Sequence, residues 1–251
     1  MKKRILILVL ALACLFSLAS CKKETAYSLL NEADAALEAA NGLEATVTID
    51  MKMTEDGESE EQSISMDLKV NGENMAMVIA MDMYGETMEI PVVYVDGVMY
   101  MEQSDTKIKM EVSAEDFGAE YGSMGNVELP ELTEEALKDV EIKKDGDTKS
   151  FTVSLDNEAA MEILGESLLA AVMGSVEDVK VDQFDITFTF TKDNTLSKMT
   201  MAMVLLPADE GEEDASLEAT MTYEFKNLGT APTIEAPADA DEYLDMTANI
   251  Q

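Results

Sequence analysis

The chain has 251 residues, 47% of them hydrophobic, with 52 acidic and 17 basic side chains and a formal charge of −35. It has no His and no Trp, and its two cysteines are Cys14 and Cys21. These counts remove the base of the Ser-His-Asp and Cys–His arrangements, the nitrogen ligands of the usual zinc and copper sites, and the basic patches that nucleic acid requires.

No cofactor, metal or nucleic-acid partner is therefore expected. Paired carboxylates are a catalytic arrangement that survives, but among 52 acids no single pair stands out. The expected role is not enzymatic.

The chain starts with Lys2-Lys3-Arg4, continues through an apolar run over residues 5–18, and reaches Leu18-Ala19-Ser20-Cys21. A basic start, a short apolar stretch and small residues before a cut make an export signal, and the run is too short to span a bilayer. Leu, two small residues and Cys resemble the lipobox of bacterial lipoproteins. That resemblance implies cleavage before Cys21, a diacylglycerol on its sulfur, and a mature chain anchored on the outer side of a membrane. A transmembrane anchor, a buried apolar helix, or a secretory signal with Cys21 unmodified are the competing readings.

Residues 1–20 are thus the expected signal peptide, 21–25 the lipidated Cys21 with a short tether, and 26–251 one domain. Cys14 leaves with the signal, so Cys21 has no disulfide partner within the chain. Losing Lys2, Lys3 and Arg4 leaves 14 basic against 52 acidic side chains, a net −38. Regular apolar spacing argues that these acids coat a folded body rather than mark disorder. The tether Lys22-Lys23-Glu24-Thr25 spans about 14 Å when extended, so the body rides close to its membrane with Lys22 and Lys23 near anionic headgroups.

Ala26, Leu30, Ala33, Leu37 and Ala40 form a helical stripe that Asn41-Gly42 is expected to stop. Alternation then marks half-buried strands: Val47–Met53, Ile64–Val70, Met75–Met83 and Ile108–Val112. Glu55–Glu61 reads as a wide, charged hairpin tip, whereas Asn71-Gly72 and Asp96-Gly97 read as tight turns. Residues 113–138 suggest short broken helices, capped by Ser113 and Thr133 and broken by Gly122, Gly125 and Pro130. Asp145-Gly146 is a further tight turn. A third helix over residues 158–173, capped by Asp156 or Asn157, carries Met161, Ile163, Leu164, Leu168, Leu169 and Val172. Strands return at Phe184–Phe190, Met199–Leu205 and Leu217–Phe225, with Asp193-Asn194 and the acidic tip Asp209–Asp214 between them. The last stretch, 231–251, holds Pro232 and Pro237 and suits a strap across the sheet or a last edge element.

Apart from Met1, the 20 methionines lie after the signal, many at i, i+2: Met51/Met53, Met75/Met77, Met81/Met83, Met99/Met101 and Met199/Met201/Met203. The spacing is that of one strand face, so plain core filling explains it. Flexible thioethers also line cavities that accept varied apolar ligands, and clustered thioethers bind Cu(I).

A lipobox, a helix running straight into Leu43–Met53, the hairpin Tyr94-Val95-Asp96-Gly97-Val98-Met99-Tyr100 and the ending Ala231-Pro232-Thr233-Ile234-Glu235-Ala236-Pro237 resemble the LolA/LolB-like lipoprotein superfamily, including its LprG-type members. The resemblance implies an α+β fold, mostly antiparallel β: a strongly curved half-barrel sheet with helices packed in its concave face. It also implies an apolar cavity that in several members carries a lipid or acyl chain. Met81, Leu164, Leu168, Phe188 and Met201 are the expected cavity lining. The expected partners are the membrane, through the anchor, and a lipid or other apolar ligand. The alternative is an accessory lipoprotein whose core is filled by its own side chains and which docks on a membrane protein. A large connected cavity favours the first reading, and a collapsed core the second.

Overall fold

The computed structural model describes residues 24–83, 86–103, 106–117, 129–161, 163, 179–207 and 215–247. The first element is a helix, α1 (Ala26–Glu38). Thr25 caps it: its hydroxyl accepts from the Ser28 N–H at 3.1 Å while the Ser28 hydroxyl accepts from the Thr25 N–H at 3.0 Å, a reciprocal capping box. Ala26, Leu29, Leu30 and Ala33 form its buried stripe.

Among the described residues twelve strands follow. They are β1 (Gly42–Glu55), β2 (Glu58–Asn71), β3 (Asn74–Met83), β4 (Glu86–Val95), β5 (Val98–Gln103), β6 (Thr106–Glu111), β7 (Lys143–Asp145), β8 (Thr148–Leu155), β9 (Val179–Thr191), β10 (Leu196–Pro207), β11 (Ser216–Leu228) and β12 (Leu244–Asp245). A short helix, α2 (Glu134–Leu137), precedes β7, with Thr133 as its expected cap. The strands make one curved, unclosed sheet in the order β12-β6-β5-β4-β3-β2-β1-β11-β10-β9-β8-β7. Two antiparallel meanders, β1 to β6 and β7 to β11, are zipped together where β1 meets β11. The fold is the expected α+β, mostly antiparallel class.

Several turns differ from the sequence expectation. The charged stretch after Glu55 is a tight two-residue turn, with Asp56 at φ 52° and Gly57 at φ 81°, and β2 already runs through Glu58–Glu61. Positive φ at both central residues makes the primed turn whose twist matches the strands, so the hairpin extends further into solvent than its charge suggested. At the next hairpin the central pair is Gly72-Glu73, because Asn71 still pairs with Asn74. Gly42 does not cap α1, whose C-cap is Ala39. It opens β1 instead, where a Cβ would lie 2.6 Å from both the Ala231 Cα and the Val70 carbonyl oxygen. Glycine is needed there for close approach.

Period-two alternation sends one residue in two of each main strand to a common dry face. Cross-strand pairing turns these into rows. One runs Phe151, Phe188, Met199, Tyr223, Val47, Met66, Ile79, Ile90. Its neighbour runs Val153, Ile186, Met201, Met221, Ile49, Ile64, Met81, Met88. The face carries two hydrophobic cores. The first joins β8 to β11 with Leu29, Leu30 and Ala33 of α1, Leu129, Leu137 and Ala160. The second joins β1 to β5 with Phe117, which stacks on Tyr94 at 4.0 Å between ring centroids. Tyr223 and Phe225 touch both. The opposite face is polar and crossed by ion pairs such as Lys226–Asp67 at 2.9 Å and Lys198–Glu224 at 3.1 Å.

The C-terminal stretch is both strap and edge. Asn71 donates through Nδ2 to the Pro232 carbonyl at 2.8 Å, fixing the strap beside Gly42. Further on, Lys107 pairs with Asp239, Tyr243 donates to Glu102 and packs edge-on against Tyr100, and β12 adds to β6 in parallel.

Candidate functional site

A cleft of about 860 Å³ lies between the two cores. One wall is a face of α1 at helical spacing: Tyr27, Leu30, Asn31, Asp34, Leu37 and Glu38. Leu43 at the start of β1 and Val70 at the end of β2 form the facing wall. The segment from Leu129 to Thr133, leading into α2, closes a third side. Leu30, Leu43 and Leu129 are buried at its floor, while Leu37, Val70 and Leu132 are half-buried. The sheet supplies one core's edge and the helix the other's, so the space exists because α1 packs on the β8 to β11 half and stops short of the β1 to β2 half.

Its mouth is acidic. Asp34, Glu38 and Glu131 are exposed there beside the polar Asn31, Asn41 and Thr133. The helix wall is held at its start by Glu24, whose carboxylate accepts from Lys149 Nζ at 2.6 Å and lies 3.7 Å from Lys144. The hydrogen bond from Lys149 pulls the Glu24 carboxyl below its usual range against an opposing effect of burial, helped by the charges of Lys149 and Lys144. Asn194 ties the same corner to the β9–β10 turn through Lys149 and through Glu32, the latter at 3.3 Å.

The residues expected to line a cavity fall elsewhere. Phe188 is 0% exposed and packs on Phe151 at 5.2 Å between ring centroids, so it fills the first core and lines no open space. Met201 and Met81 are half-buried on the dry face in one cross-strand row. That row stands six residues along β1 from Leu43, about 20 Å from the cleft at strand rise. Leu164, Leu168 and Cys21 lie outside the described residues. Asp156 caps the third helix through a 3.0 Å bond from the Ala159 N–H, but most of that helix lies outside them as well.

Sequence reasoning missed Leu129, Leu132 and the outer face of α1. Its helical stripe contained Leu30 and Leu37, a usable signal, yet Leu132 and Glu131 sit in an irregular segment with no period to read.

Among the described residues no helix is long and apolar enough to cross a membrane, and no charged side chain is fully buried. A family model described as a family of unknown function, DUF6612, matches residues 25–243. No curated protein matches the chain. Similar solved structures include LprF from Mycobacterium bovis, at 14% identity and a TM-score of 0.42, covering 84% of this chain and 96% of that one. Another is a LolA superfamily protein, NE2245, from Nitrosomonas europaea, at 8% identity and a TM-score of 0.24, covering 86% and 96%. A third is a putative outer membrane lipoprotein-sorting protein domain from Vibrio parahaemolyticus, at 11% and 0.27, covering 80% and 92%. Of these, one is named as a LolA superfamily protein and another as a lipoprotein-sorting protein domain. At such low superposition the likeness adds nothing about ligand or activity.

Proposed function

The chain belongs to the family of unknown function DUF6612, and we propose that it is an extracytoplasmic lipoprotein, anchored through Cys21, that shelters an apolar ligand such as a lipid or acyl chain without chemical turnover. The observation that carries this reading is the cleft between the two cores. Its volume of about 860 Å³ falls in the range of small-molecule sites, and its floor of leucines suits an aliphatic chain.

Placement supports it further. The cleft runs along α1, whose first residue follows Cys21 by five positions, so one end of the cleft is tied by a short tether to the membrane that supplies such ligands. The half-buried row Met201, Met221, Ile49, Ile64, Met81 continues the apolar face beyond the cleft, with adaptable thioethers suited to chains of varied shape. In this reading the expected lining residues Met81 and Met201 serve as an outlying part of the binding face.

The test is native mass spectrometry of the chain from Lys22 onward, which keeps every described residue, followed by solvent extraction. A co-purifying lipid or acyl species that is lost in Leu37→Asp, with the fold intact by circular dichroism, is the expected result. A bare mass, with no uptake of an environment-sensitive acyl probe, would contradict it. The closed packing of Phe151, Phe188 and Phe190 favours the second reading for that half of the sheet: an accessory lipoprotein that docks on an envelope protein.

A further inference from the structure

We propose that the cleft selects its amphiphile by head-group charge, taking an apolar chain that ends in a cation of the alkylammonium class and rejecting the carboxylate of equal length. The inference rests on the apolar-ligand reading above and specifies its ligand.

The floor and the mouth of the cleft differ in chemistry. Leu30, Leu43 and Leu129 are buried below, whereas Asp34, Glu38 and Glu131 stand exposed above. Asp34 and Glu38 are one turn apart on the same face of α1, and Glu131 approaches from the segment across the cleft. Among the described residues that line the cleft there is no Lys or Arg. Among the described cations, Lys149 and Lys144 pair with Glu24, Lys69 with Glu44, and Lys138 with Glu135. None of the three mouth carboxylates has an ion-pair partner among the described residues.

A chain seated on the leucine floor therefore brings its head group among three carboxylates that have no ion-pair partner among the described residues. An anionic head is repelled there, and a cationic one is attracted, over the Debye length of about 8 Å at physiological salt. The surrounding body, with 52 acids against 14 bases once Lys2, Lys3 and Arg4 are gone, carries a net negative charge that adds to this preference. Hydrophobic contact sets whether a chain binds, and the mouth sets which chain.

The experiment is displacement of an environment-sensitive apolar probe from the chain from Lys22 onward, at pH 7, by dodecylamine, dodecanol and dodecanoate below their aggregation concentrations. Expected is displacement by dodecylamine at about tenfold lower concentration than by dodecanoate, with dodecanol between them. The preference should shrink to about twofold in 1 M NaCl, where the Debye length is about 3 Å. It should also vanish in the triple variant Asp34→Asn, Glu38→Gln, Glu131→Gln, where the amine and the acid displace the probe at equal concentration. These three side chains are exposed, so the variant keeps the packing, and the salt series on the unmodified chain decides the matter even if it does not. Equal displacement by the amine and the acid, or a preference for the acid, overturns the charge inference and leaves the apolar-ligand reading standing. Failure of the probe to bind at all overturns both.

Discussion

Met201 and Met81, on strands that are distant in sequence, belong to one cross-strand row: Met201 opposes Met221, which opposes Ile49, then Ile64, then Met81. Four strand spacings, about 19 Å, separate them along the sheet. All five side chains are half-buried, whereas Met199 and Phe188, one row away, are sealed. The dry face therefore grades from closed core to accessible apolar surface.

This grading sets the cost of truncation. Phe188→Ala removes a fully buried ring that packs on Phe151 and should cost about 3–5 kcal/mol. Met201→Ala and Met81→Ala remove side chains that folding only partly shields, and each should cost about 1–2 kcal/mol. Urea unfolding of the three variants checks the order. Equal losses would contradict the half-buried row.

Gly42→Ala should destabilise by about 1–3 kcal/mol, because both neighbours at 2.6 Å are backbone atoms that cannot swing aside. The strap at Ala231 would have to lift from Val70, so the thermal midpoint should fall and the C-terminal stretch should become easier to cleave by protease. Unchanged cleavage would mean the strap is not held there.

Thr25→Ala breaks the capping box at the start of α1 and should cost about 1 kcal/mol. Because α1 forms a wall of the cleft, probe affinity should fall as well, though Thr25 does not line the cleft. Ser28→Ala should lower stability in the same direction. A stability loss with unchanged affinity would separate the helix end from the binding wall.

The Glu24–Lys149 pair makes stability depend on acid pH. Folding lowers the Glu24 pKa, so the unfolded chain holds this proton more tightly. The stabilisation is complete above the usual glutamate value of about 4.3 and is lost as pH falls from there through the folded value. Glu24→Gln should thus be less stable than the unmodified chain at pH 6, with the difference shrinking by pH 3. A difference that stays constant across that range would contradict the pairing.

Much of the sheet was legible because its signal is local. Val47–Met53, Ile64–Val70 and Phe184–Phe190 alternate strictly, and each lies within a strand. Strand β8 carries the same alternation in Phe151-Thr152-Val153-Ser154-Leu155, but so short a run beside a helix cap did not stand out. Three-residue β7, wholly exposed, has no apolar period at all. The cleft was less legible. Its walls meet through the pairing of α1 with one meander and of β1 with β2, and no spacing in the sequence encodes how far a helix stops short of a sheet edge. Met81 and Met201 could be placed on a strand face, but their row follows from the β1–β11 register, a contact between chain segments far apart.

The most direct measurement is photolabelling with a long-chain diazirine probe on the chain from Lys22 onward, mapped by peptide mass spectrometry. The account expects label on the outer face of α1, around Tyr27, Leu37 and Glu38, and on the segment from Leu129 to Thr133, competed away by an unlabelled chain. Label spread over the polar face of the sheet, or none that an unlabelled chain can displace, would contradict a cleft that holds an apolar ligand.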